Sequence, residues 1–128
     1  MNFLLDTCTF LWLATDPTRL SAAANVARAD PGNTFTLSAV SAWEIGVLFS
    51  LGRLALSQPP VLFVPQERQL HRIGVLELSE DAATHVSNLP QHHRDPFDRM
   101  LVCQALIHGL TILTPDPVIR QYAVPTLW

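Results

Sequence analysis

Phe3-Leu4-Leu5 is a short unbroken apolar run that ends on an acid, Asp6. A strand with one wet face alternates apolar and polar residues, so an unbroken run of this length reads as a strand covered on both faces, as in a parallel sheet. Three further short runs follow, Thr34 to Leu37, Val75 to Leu78 and Thr111 to Leu113, and Val124 to Leu127 offers an edge strand. Helical patterns separate them. Strands alternating with helices imply βαβ crossovers and an α/β class with a parallel sheet. Helix starts fit this parsing: Ser21 precedes Ala22-Ala23-Ala24, Ser79 precedes Glu80-Asp81, and Asp95-Pro96 and Asp116-Pro117 each pair an N-cap with proline at the first helical position. Gly32, Gly52, Gly74 and Gly109 follow helical segments near 22–29, 39–51, 61–73 and 96–108, where a left-handed residue often closes a helix. A chain of 128 residues with no repeat, linker or low-complexity tract is expected to form one domain, 1–128.

Composition removes several classes of chemistry. All eight basic residues are Arg, so a catalytic or Schiff-base lysine is excluded and any phosphate contact falls to Arg. The net charge is −3, and setting four site acids aside leaves +1 on the remainder, so the acidic total does not argue against nucleic acid. Cys8 and Cys103 stand far apart in apolar patterns without zinc spacing and read as buried reduced thiols. No apolar run is long enough to span a bilayer, and Asp6 interrupts the stretch a signal peptide would need, so the expected location is cytoplasmic.

The acids carry the functional signal. Asp6 follows the first strand, where ligands of open α/β sheets bind, and equally suits a cap for a helix around Phe10 to Leu13. Glu44 lies four residues after Val40, three before Val47 and four before Leu48, on or beside the apolar face of its helix, where an unpaired charge is costly. Asp98 shares a face with Leu101, Val102 and Ala105, yet with Asp95 as N-cap it also occupies the capping-box position. Asp116 follows the strand Thr111 to Leu113 and equally suits a cap before Pro117. As a set, two acids past strand ends and two on apolar helix faces are what a metal site at one sheet edge requires. Like charges ~5 Å apart repel by ~3 kcal/mol at an effective dielectric near 20, so a converged cluster needs a cation or shifted pKa values. All-oxygen ligation suits Mg²⁺ or Mn²⁺ better than zinc.

The remaining candidates are read as structural or surface groups. His71, His85, His108 and the pair His92-His93 show no metal spacing, and the pair is expected at the surface or in a structural role. Trp12, Trp43 and Trp128 are expected in the core. Arg94 and Arg99 flank the acids and suit either phosphate binding or an ion pair with a neighbouring Asp.

The segments Leu4-Leu5-Asp6-Thr7, Ser38 to Ile45, His93-Arg94-Asp95-Pro96-Phe97-Asp98-Arg99 with Gln104-Ala105, and Leu113-Thr114-Pro115-Asp116 together resemble PIN-domain ribonucleases of the VapC toxin type. The likeness extends to the closing Val124 to Trp128. It implies a three-layer α/β/α sandwich, usually a homodimer, that cleaves RNA with Mg²⁺ or Mn²⁺ and is held inactive by a cognate VapB antitoxin. Matched by motif, Asp6, Glu44, Asp98 and Asp116 correspond to the acidic quartet, with Asp95, Arg99 and Thr7 as auxiliary candidates. Asp6, Asp98 and Asp116 would be metal ligands, and Glu44 would hold or deprotonate the attacking water. Two positions depart from the pattern: Cys8 stands where this subgroup often has His, and Leu48 where a Lys commonly follows Trp-Glu-Ile.

Two other readings stay open on the sequence. One is an inert PIN module that binds RNA or protein. The other is a phosphatase or phospho-acceptor domain with Asp6 as nucleophile, which the absence of a second Asp at position 8 and of any lysine disfavours.

Overall fold

The computed structural model describes residues 1–128. Five strands run in parallel: β1 (Asn2–Leu5), β2 (Thr34–Ser38), β3 (Gly74–Leu76), β4 (Thr111–Leu113) and β5 (Thr126–Leu127). Their order across the sheet is β3-β2-β1-β4-β5, with β1 central. The register sets Phe3 beside Phe35 and Thr111, and Leu4 beside Thr36 and Ile112. Six helices supply the outer layers: α1 (Thr7–Thr15), α2 (Ala22–Ala29), α3 (Ala39–Ser50), α4 (Pro60–Leu70), α5 (Glu80–His85) and α6 (Pro96–His108).

The run Phe3-Leu4-Leu5 is unbroken because each face of the central strand has its own core. Phe3, Leu5, Leu37 and Leu113 pack with Phe10 and Leu13 of α1, Ala24 and Ala27 of α2, Ile45 of α3 and Phe63 and Val64 of α4. Leu4 and Ile112, one residue out of phase, pack on the opposite face with Leu101, Val102 and Ala105 of α6, and with Ile119 and Tyr122. Leu4, Leu5, Ile112 and Leu113 are all at most 1% exposed, and burial of each such side chain contributes about 1.5–3 kcal/mol. This is the α/β/α sandwich expected from the sequence. The connections leaving β1 and β4 diverge to opposite sides, so the carboxyl ends of these neighbours form the crevice where α/β sheets bind ligands.

Several local expectations need correction. Gly52 (φ +71°) and Gly109 (φ +66°) do take left-handed conformations, but Gly32 and Gly74 do not. Gly74 already belongs to β3, and Arg72 (φ 56°) closes α4 in its place, which stops that helix before residue 73. No α-helix follows Asp116-Pro117; a turn and a short 3₁₀ segment, Ile119–Gln121, stand there. The last strand is shorter than expected because Pro125 has no N–H to donate, although its carbonyl accepts from Ile112 N at 2.9 Å. Trp43 is 64% exposed and not in the core, while Trp12 and Trp128 are half-buried against each other under the Arg19 guanidinium. No helix is long and apolar enough to cross a membrane.

Candidate metal centre

Asp6 serves as both cap and cleft residue. Its backbone continues β1, with N–H donating to Leu113 O at 3.3 Å, and its Oδ1 accepts from Thr9 N at 2.8 Å to cap α1. The Thr114 hydroxyl donates to Oδ2, and the Cys8 thiol donates to the same carboxylate at 3.4 Å and 3.6 Å. Burial raises the Asp6 pKa, and the Thr114, Thr9 and Cys8 contacts pull against that rise. Cys8 is thus no inert core thiol. It lies half-buried at the cleft, where burial and then the Asp6 charge push its own pKa upward and keep it a neutral donor.

Glu44 comes from α3, whose start is fixed to α6 by a buried bond from Ser38 Oγ to Gln104 Oε1 at 2.5 Å. Trp43 and Phe97, each one residue before an acid, meet edge to face with centroids 5.0 Å apart. These two ties hold Glu44 opposite Asp98. Glu44 Oε1 is buried with no hydrogen-bond partner. Burial raises its pKa, the Asp95 and Asp6 charges add to the rise, and the Thr7 hydroxyl opposes it. Thr7 Oγ1 and Ser41 Oγ are also hydrogen-bonded to each other at 3.0 Å, tying α1 to α3.

Asp95 is the N-cap of α6, accepting from Phe97 N at 2.8 Å. Asp98 does not complete a capping box, because the Asp95 N–H that it would accept is donated to His93 Nδ1 at 3.1 Å. It faces the other acids instead. Burial, followed by the charges of Asp95, Glu44, Asp6 and Asp116, raises its pKa to about 8. Asp116 sits in an Asx turn, with Oδ1 accepting from Val118 N at 2.8 Å and its own N–H donating to Thr114 Oγ1 at 3.0 Å.

Asp6, Glu44, Asp98 and Asp116 line one cleft of about 290 Å³, together with Thr7, Cys8, Leu11 and Leu48. Both positions that depart from the family pattern, Cys8 and Leu48, therefore stand on its wall. Sequence reasoning missed His93. Its Nε2 bonds Asp116 Oδ2 at 2.8 Å and lies 3.3 Å from Asp98 Oδ2, so one member of the histidine pair expected at the surface or in a structural role is at the site, while His92 packs on Tyr122. The available signal was its place two residues before the Asp95 cap. Arg99 is not a phosphate ligand. It is 7% exposed and donates to Pro90 O at 2.8 Å, to Tyr122 Oη at 3.1 Å and to Val86 O and Leu89 O at 3.4 Å. Arg94 is exposed.

Four carboxylates on one cleft, one with an unpartnered buried oxygen and three with raised pKa values, leave negative potential uncompensated. Oxygen donors of this kind fit a hard divalent cation. A parallel α/β fold with such a cleft at its central switch point defines a class of acidic-site α/β proteins. Residues 3–125 match the PIN domain family, and the chain belongs to it. It is 29% identical to "Ribonuclease VapC22" of Mycobacterium tuberculosis, over 98% of this chain and 97% of that protein. The fold is similar to VapBC2 from Rickettsia felis bound to a promoter DNA fragment (TM-score 0.74, 12% identity, 99% and 98% of the two chains). It is also similar to VapBC-1 from nontypeable Haemophilus influenzae (TM-score 0.67, 19% identity, 99% and 97%).

Proposed function

We propose that this PIN-domain chain is a metal-dependent endoribonuclease and the toxin of a VapBC-type toxin–antitoxin pair. The observation that carries the reading is the meeting of Asp6, Glu44, Asp98 and Asp116 on one cleft with Glu44 Oε1 unpartnered. Likeness along nearly the whole length of a VapC ribonuclease supports the RNA substrate, and the VapBC structural neighbours support a VapB-type antitoxin. The cofactor is Mg²⁺ or Mn²⁺, the assembly a homodimer of single-domain chains, and the location cytoplasmic.

A divalent cation bound here lowers the pKa of a water and offsets charge that builds on the phosphate oxygens. Asp6 and Asp98 would supply direct ligands, and the Thr9, Thr114 and Cys8 donors fix the orientation of Asp6. Glu44 would hold or deprotonate the attacking water, its Oε1 being an acceptor that no protein group uses. Asp116, with one oxygen toward Val118 N and one toward His93, would serve as a direct or water-mediated ligand beside Asp98. No side chain becomes covalent.

The test is cleavage of total RNA by purified protein with Mg²⁺, with Mn²⁺ and with chelator, followed by sequencing of RNA 5′ ends after brief induction of wild type and Asp98→Ala. New ends that require both the cation and Asp98 are expected. Equal cleavage by Asp98→Ala, or cleavage in chelator, overturns the assignment.

A further inference from the structure

The nitrogen and oxygen atoms that His93, Asp98 and Asp116 bring together all lie within 4.8 Å of one another, an arrangement that superficially resembles a cation cage. The hydrogen bonds on the ring give a different role. Nδ1 accepts from the Asp95 backbone N–H at 3.1 Å. An amide cannot give up that proton, so Nδ1 presents its lone pair and the ring proton resides on Nε2. A metal-binding histidine is wired the other way, with its second nitrogen donating to a carbonyl or carboxylate so that the first is free for the cation. Here Nε2–H is aimed at Asp116 Oδ2, at 2.8 Å, with Asp98 Oδ2 at 3.3 Å.

The segment that carries the ring is pinned independently. The His93 backbone N–H donates to Tyr122 Oη at 2.7 Å, and the same oxygen accepts from Arg99 Nη1, whose other contact, Pro90 O, lies three residues upstream of His93. Backbone, Nδ1 and Nε2 are thus all committed, which is the preorganisation that a ligand-orienting group needs.

We propose that His93 is a positioning residue outside the ligand set: its Nε2–H donates to Asp116 and holds that carboxylate beside Asp98, so that both would face a cation bound in the cleft. This role rests on the metal-nuclease reading above and adds a residue to it. Loss of a group that orients a metal ligand typically lowers cation affinity or activity about 10- to 100-fold.

Calorimetric titration of wild type, His93→Ala and His93→Gln with Mn²⁺ and Mg²⁺ tests the role, because the glutamine amide N–H can stand where Nε2–H stands. The expected result is a roughly 10- to 100-fold weaker affinity in His93→Ala and recovery of most of it in His93→Gln. The ¹⁵N signals of the wild-type ring should also keep Nε2 protonated when the site is saturated with Mg²⁺. Unchanged affinity in His93→Ala overturns the proposal, as does equal loss in both variants or deprotonation of Nε2 on cation binding. Absence of saturable binding by the wild type is a separate outcome, which overturns the metal-nuclease reading and this role with it.

Discussion

The two walls of the acidic cleft are held by different forces. On one side Asp6 extends a central strand and Glu44 projects from α3, and both elements are anchored by the apolar packing of Leu5, Phe10, Leu13 and Ile45. On the other side Asp98 leaves the first turn of α6 while His93 and Asp116 stand in turns, and the apolar packing of Leu101, Val102 and Ala105 is joined by polar anchors: Arg99 on the carbonyls of residues 86–90, Tyr122 on the His93 N–H, and Asp95 on both His93 and α6. Apolar packing tolerates small shifts. A hydrogen-bond network holds position only while all its members are satisfied. The second wall is therefore where the chemistry is most sensitive to change.

The comparison can be broken most decisively at the carboxylates. Asp6→Asn and Asp98→Asn should each reduce RNA cleavage below detection while the circular dichroism spectrum stays folded; strong residual activity in only one would show that the walls do not share a site. Next in size, Arg99→Ala should cost roughly 2–4 kcal/mol in urea unfolding, because four acceptors lose a charged donor. Leu13→Ala should cost a similar 2–5 kcal/mol. At a temperature where both variants are folded, only Arg99→Ala should also lose cation affinity, and equal loss in the two would erase the distinction between the walls.

Acidity gives a third test. The Asp98 carboxyl has an ordinary value of 3.8 when unfolded and about 8 in the fold. As pH rises through that interval the unfolded chain ionises first, so the cation-free protein should lose stability from about pH 4 to about pH 8, with Asp6 and Glu44 acting in the same direction. Asp98→Asn should flatten the decline in thermal melts and be more stable than wild type at pH 8.5 by about 3 kcal/mol, the size of relieved like-charge repulsion at about 5 Å. A stability that rises over that range would contradict the raised value. The smallest effect belongs to Tyr122→Phe, which removes one acceptor from the His93 N–H and Arg99 and should cost about 1 kcal/mol, with a small increase in the KM for RNA.

The same division explains how much could be read in the sequence. Short runs rich in apolar and β-branched residues gave β1, β2 and β4 to within a residue, and the apolar surroundings of Glu44 marked a charge that needed a reason to be there. These are local signals, written by burial at fixed spacing. His93 and Arg99 were legible in identity but not in role. Arg99 follows Asp98 by one residue, which on a helix turns it about 100° away from its neighbour, into the carbonyls at 86–90 instead of the cleft. His93 depends on Tyr122, 29 residues along the chain, and no local pattern encodes that contact. Asp116 looked like a helix cap because Asx turns and N-caps use the same Asp-Pro chemistry.

The edge-to-face contact of Trp43 with Phe97 has a mechanical consequence. Each ring is the immediate neighbour of a cleft acid, Glu44 on α3 and Asp98 on α6, so any change in the spacing of those carboxylates must slide or tilt one ring on the other. With Trp43 64% exposed, the cleft carries a built-in optical gauge of its own width at the molecular surface.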